Sequence, residues 1–275
     1  MTPGGFLDGL VVVGGVLWSS DVTGDRLVRV DAGSGSVLPP VPSPGGPLTL
    51  VADGGSVWVA HYNGHDVTRY DGRTAVNTAT VQTPSDKPCG LVLLDGKLWV
   101  VDQSDGAGAV IDTATVKVVK KIATGAHSGW ASAGFKAVWV PDFQGGTGTV
   151  VRLDPVNGAT TARYAVGGGP LMATPGDGSV WVSDNSDNTV VRLDPASGKV
   201  LASIAVPRGP AAILVQPHRV WVTSYEGNAL TVIDPATNRV LGTLALPGSA
   251  QNMVQTGDHL WIALASGSLV EIAPS

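Results

Sequence analysis

Short apolar runs alternate with clusters of turn-forming residues from one end of the chain to the other. Between Pro170 and Gly209 the pattern reads "PLMATPGDG", "SVWVSDNSDN", "TVVRLDPASG" and "KVLASIAVPRG". Each piece carries a few Val, Ile, Leu or Thr residues suited to a pleated surface. Each closes on Gly, Asp or Asn, which make tight turns. The spacing predicts four antiparallel strands joined by hairpins in about 40 residues. No stretch sustains the apolar spacing of a helix.

The unit repeats. Trp18, Trp58, Trp99, Trp139, Trp181, Trp221 and Trp261 stand 40 to 42 residues apart, each inside an apolar run such as "SVWVA" or "HLWIA". Trp130 alone lies off this lattice. Four strands per unit, repeated seven times, predict an all-β, seven-bladed β-propeller of antiparallel blades occupying residues 1–275 as one domain. One large ring per unit would fill the space between neighbouring blades. Asp154, Asp194 and Asp234, each followed by Pro, and the variants Asp31 and Asp112 mark the turn from third to fourth strand. There the Asp side chain bonds the backbone ahead of it. The last repeat, "HLWIALASGSLVEIAPS", reaches only its third strand, so a three-stranded closing blade is expected. Both an excised domain of a longer polypeptide and a natural three-stranded closure accommodate this.

Composition narrows the function classes. The net charge is −5 and no Lys/Arg cluster occurs, so a nucleic-acid partner is not expected. The single cysteine, Cys89, excludes an internal disulfide and a CxxC-type zinc site. The apolar stretch from Gly9 to Trp18 is too short to span a bilayer and lacks a preceding basic segment, so no membrane insertion is expected. A monomer is expected. If the segment belongs to a longer secreted or anchored protein, an extracytoplasmic location follows.

The units "VWVSDNSDNTVVRLDPASGKVLASIAVPRGP" and "VWVTSYEGNALTVIDPATNRVLGTLALPGSA" resemble the YVTN-type bacterial propeller repeats, and the related propellers of NHL proteins and streptogramin B lyases. The resemblance covers essentially the whole chain and implies the propeller fold. It also implies the roles such repeats take: binding proteins, sensor domains of bacterial Ser/Thr kinases and, less often, enzymes. The lyases use a Pro-His-(Gly/Ala)-Ile segment at an interblade loop, with further Glu and His and a magnesium ion. The matching pairs here are Pro47-Leu48, Pro88-Cys89, Ser128-Gly129, Pro170-Leu171, Pro210-Ala211 and Ala250-Gln251, and none carries the histidine.

Candidate sites follow from where units depart from the consensus. The loops after strand two and before strand one gather around the channel on one face, where propellers bind ligands. Three residues past the lattice Trp stand Asp21, Asp102, Asp142 and Asp184, weak candidates for a Mg or Ca ion; the alternative is that each caps its own loop. Blade two replaces this Asp with His61, followed by Tyr62 and His65. Blade four adds His127, Trp130 and Phe143, with an enlarged "DFQGGTGTV" loop. Cys89 and Asp102 lie between them, and Tyr225 and Glu226 face them from blade six. His218 and His259 fall in strand one-to-two turns, where solvent exposure is expected.

The expected site is a pocket in the sector of blades two to four. Its first function is binding or sensing a small molecule, a cell-envelope fragment or a protein, with no cofactor required. The alternatives are an enzyme of lyase or hydrolase type with His61 or His127 as general base, and a protein-interaction scaffold.

Overall fold

The computed structural model describes residues 3–125, 127–143 and 148–273. The chain forms seven antiparallel sheets in sequence order, six of four strands and the last of three. Blade one comprises β1 (Leu7–Val13), β2 (Val16–Asp21), β3 (Arg26–Asp31) and β4 (Val37–Pro42). The first strand of each blade lies beside the first strands of its neighbours. That of blade seven, Ala250–Thr256, returns to β1, so the ring is closed. As the sequence predicts, the molecule is a seven-bladed propeller whose last blade has three strands.

Packing explains the tryptophan lattice. The second strands pair on both sides, Trp18 lying opposite Val11 and Arg29, and their indoles point into the space between blades. Trp18, Leu27 and Val41 of blade one meet Leu50, Val57 and Val59 of blade two. Trp261, Ala263 and Leu269 of blade seven meet Leu7, Leu17 and Val28 of blade one, which seals the ring. Six of the seven lattice indoles are at most 2% exposed. Burial of a Trp contributes about 4–6 kcal/mol as an upper estimate, from roughly 150–250 Å² at about 25 cal/mol per Å².

The exception is Trp221, which is half-buried. In complete pairs of blades the turn between the third and fourth strands of the next blade covers the indole. Arg192 lies 4.9 Å above Trp181 and is tied to Asn238 Oδ1 in that turn of blade six at 2.9 Å. No described residue supplies such a turn in blade seven. Trp221 instead borders an open cavity of about 470 Å³ shared with Leu230, Leu244, Leu260 and Ile272.

The Asp residues at those turns act as the sequence predicts. Asp194 Oδ1 accepts from the N–H groups of Ala196 and Ser197, Asp154 accepts likewise from Val156 and Asn157, and Asp234 accepts from the Ala236 N–H and the Thr237 hydroxyl. Bonds from the backbone N–H and side chain of Ser197 hold the Asp194 carboxyl below its usual range.

Candidate functional site: the mouth of the channel

Seven equivalent hydrogen bonds frame one end of the channel. After the second strand of each blade, a backbone N–H donates to a carbonyl in the loop leading into that blade. The pairs are Val22 to Phe6, Tyr62 to Gly46, Gln103 to Lys87, Phe143 to His127, Asn185 to Gly169, Tyr225 to Gly209 and Ala265 to Ser249, at 2.7–3.4 Å. A second ring of equivalent positions opens the innermost strands: Asp8, Leu48, Cys89, Gly129, Leu171, Ala211 and Gln251. The frame is constant and the side chains differ, the arrangement expected of a site carried on a rigid repeat scaffold.

Members of both rings, with Ser128 and Trp130, enclose a cavity of about 320 Å³ over blades one to five. Its lining is mostly apolar, and Asp8 is the one carboxylate in it. Asp8 is 6% exposed, and its Oδ1 has no hydrogen-bond partner. Burial pushes the carboxyl up to about 7, with no neighbouring cation to offset the rise. The adjacent backbone is held firmly by contrast. Gly9 N–H donates to Ser20 Oγ at 2.8 Å, Ser19 donates to Gly9 O at 2.8 Å, and Ser20 donates to Leu48 O at 2.6 Å. Gly9 permits this close approach, since a methyl group there would stand 2.4 Å from Leu48 O. The segment is fixed while the enclosed Asp8 Oδ1 is left without a partner.

Asp8 is the residue that loop-by-loop comparison misses. Its segment, Leu7-Asp8-Gly9-Leu10, belongs to β1 and stands in register with the six pairs that lack the histidine. Laying all seven strand entries side by side would have revealed one carboxylate among Leu, Cys, Gly, Ala and Gln.

Blade four supplies the aromatic wall. Its innermost strand is cut to Ser132–Gly134, and the preceding residues pair with blade five. Trp130 bridges Met172 in parallel, its N–H donating to Leu171 O at 2.8 Å. Gly129 sits so close that a methyl group would meet Leu171 O at 2.1 Å. The half-buried Trp130 side chain thus lines the cavity with Tyr62, Gln103 and Cys89. Cys89 is 2% exposed, and its thiol lies 3.2 Å from Ser128 O. Burial, reinforced by the Asp102 charge, pushes that thiol far up, which makes it a poor nucleophile.

The remaining predicted residues lie elsewhere. His61 is 2% exposed and turned between blades one and two: Nδ1 lies 2.6 Å from Asp66 Oδ1, and Nε2 lies 2.8 Å from Ser43 Oγ. Tyr70 adds a hydroxyl 3.0 Å from Ser43 Oγ. These are the distances of a Ser-His-Asp triad. Ser43, however, is 0% exposed, and no substrate carbonyl can reach it. Tyr70 donates to Ser43 Oγ, and Ser43 and Asp66 hold the two ring nitrogens of His61. The network is a polar staple between blades.

Asp102 accepts from the N–H groups of Lys87, Ser104, Asp105 and Gly106. Burial alone would lift its carboxyl; these four donors outweigh it and hold the group below the usual range. Asp21 takes Phe6 and Gly24 N–H groups and the Arg26 guanidinium, and Asp184 takes Gly168, Gly169 and Asp187 N–H groups. Asp142 pairs with Arg163 at 3.1 Å. The four carboxylates therefore turn into their own loops and do not converge. Among the described residues no group of three His, Cys, Asp or Glu side chains gathers to hold a metal.

His127 and Phe143 meet with ring centroids 5.8 Å apart, beside residues 144–147 of the enlarged loop, which lie outside the described residues. His65 is exposed near Asp86, Tyr225 is half-buried, and Glu226 pairs with Arg208 at 2.7 Å. His218 is exposed in its turn, and His259 pairs with Glu271 at 2.8 Å.

No protein-family model matches the chain, and no curated protein sequence does. Solved structures do match. A streptogramin B lyase superposes with a TM-score of 0.82 at 17% identity, over 96% of this chain and 92% of the other. The hydrazine synthase of Kuenenia stuttgartiensis gives 0.86 at 15% identity, over 100% and 96%. The computationally designed Ika8 protein gives 0.75 at 12% identity, over 99% and 98%. The chain is a streptogramin B lyase-like propeller in fold. One shape shared by a lyase, a synthase and a computational design assigns no chemistry here.

Proposed function

We propose that this propeller is a recognition domain that binds a small molecule in the cavity at the channel mouth, beside Asp8, Tyr62 and Trp130. The observation that carries the proposal is the unpartnered carboxylate oxygen of Asp8, a residue that lines a mostly apolar cavity. An unmet buried carboxylate costs stability, and folds retain such groups mainly where a ligand completes them. At about 320 Å³ the cavity lies at the low end of the range for small-ligand pockets, about 300–1,000 Å³. In a longer polypeptide, such as a receptor kinase, the same pocket would act as the sensor.

The test is a ligand-observed NMR screen of small fragments against the wild type and Leu171→Trp, which fills the cavity. Hits bind the wild type and are lost in the variant, whose melting temperature stays within a few degrees. Equal binding to both proteins would overturn the assignment.

One observation favours a second reading, an enzyme. A carboxyl lifted to about 7 is matched to proton transfer at neutral pH, and Asp8 occupies the ring position at which the lyases carry histidine. In that reading Asp8→Asn abolishes turnover while leaving binding of the neutral reactant intact. His61 and His127 are then bystanders.

A further inference from the structure

Resting on the pocket reading, we propose that the ligand is an organic cation, a primary or secondary amine attached to a compact ring, with the ammonium against the Asp8 carboxyl group and the ring against Trp130. The first support is charge. Asp8 is held inside protein with no compensating cation; burial alone accounts for its raised pKa. The cavity lining, which includes Leu48, Tyr62, Gln103 and Trp130, contains no positively charged residue. Lys87 lies close by, but its ammonium sits 5.1 Å from the Tyr62 ring centroid and is absent from the cavity lining. A positive charge is therefore what the cavity lacks.

The second support separates an amine from a metal. Hard divalent ions take six to eight oxygen ligands, whereas this mostly apolar lining offers one carboxylate. An ammonium needs one charged acceptor and gains further from an aromatic face within about 6 Å. Trp130 lines the same cavity, and its backbone is fixed by the pairing with blade five. Since the Tyr62 ring already carries Lys87 nearby, Trp130 is the stacking partner.

The third support is size and polarity. A lining dominated by Leu48, Val22, Leu171 and the two aromatic residues, around a volume of about 320 Å³, suits one hydrocarbon ring. Gln103 and Tyr62, both lining residues, offer polar groups for one polar substituent.

The probes are phenethylamine, 2-phenylethanol and phenylacetate, which share a ring and differ in charge. Calorimetric titration at pH 8 compares wild type, Asp8→Asn and Trp130→Ala. A charge-assisted hydrogen bond predicts about tenfold or greater preference for phenethylamine over 2-phenylethanol in the wild type. The preference collapses to near unity in Asp8→Asn, and all affinities fall in Trp130→Ala. If 2-phenylethanol or phenylacetate binds as tightly as the amine and Trp130→Ala weakens it, the pocket stands and the cation assignment fails. An amine preference that survives Asp8→Asn places the charge recognition elsewhere and overturns the proposal. Absence of binding by all three probes at millimolar concentration counts against both the cation and the pocket.

Discussion

Asp8→Asn tests the electrostatics of the channel mouth without any ligand. In the folded chain the Asp8 carboxyl is raised from 3.8 to about 7 by burial. An acid whose folded pKa exceeds its unfolded value makes no difference to stability below pH 4, where both states hold the proton. As pH rises from about 4 to about 7 the unfolded chain releases that proton and the folded chain keeps it, so stability falls. Above pH 7 the loss levels off. About three pH units at about 1.4 kcal/mol each give a penalty of about 4 kcal/mol, an upper figure that local relaxation reduces. Asparagine carries no such penalty. The two proteins should melt together at pH 4 and diverge until, at pH 8, Asp8→Asn melts higher by on the order of 5–10 °C. Differential scanning calorimetry across pH 4–8 reads this directly. Parallel melting curves over that range would show that Asp8 titrates as a solvated carboxylate, and the case for an unmet charge would fall with it.

Other substitutions separate frame from site. His61→Ala breaks the Ser43–His61–Asp66 staple and should cost about 2–4 kcal/mol by denaturant titration, whereas Tyr70→Phe, which removes one hydroxyl, should cost about 1 kcal/mol; neither should change affinity at the channel mouth. Trp181→Ala should cost about 3–5 kcal/mol, and Trp221→Ala, half-exposed at the start, clearly less. Cys89 should resist a thiol-specific disulfide reagent in the native state and react at once in denaturant, because its thiolate is disfavoured and its sulfur enclosed; rapid native labelling would contradict that.

The fold was legible because its cause is periodic. Each blade must seal against the next, so Trp18 to Trp261 recur at a fixed interval, and the turn Asp recurs for the same local reason. The site was legible only in part. Tyr62, Cys89 and Trp130 were found as departures from the repeat, and the structure brings them to one cavity. His61 is also a departure, but its replacement of Asp serves an interblade bond, and spacing alone cannot tell an inward from an axial side chain. Asp8 escaped because a single carboxylate in "TPGGFLDGL" looks like loop polarity until its strand register is known. Trp221 looks identical to its six counterparts in sequence; it is half-buried because no described residue of blade seven forms a turn over it.

The two rings at the channel mouth have a consequence for how this protein could change. Fourteen positions stand on a skeleton framed in every blade by a bond between backbone atoms, so selection or a designer could exchange occupants there while that frame is kept. A library confined to those positions would sample many chemistries on one unaltered chassis, and the hardest position to exchange should be Gly129, where another chain segment already occupies the room a side chain would need.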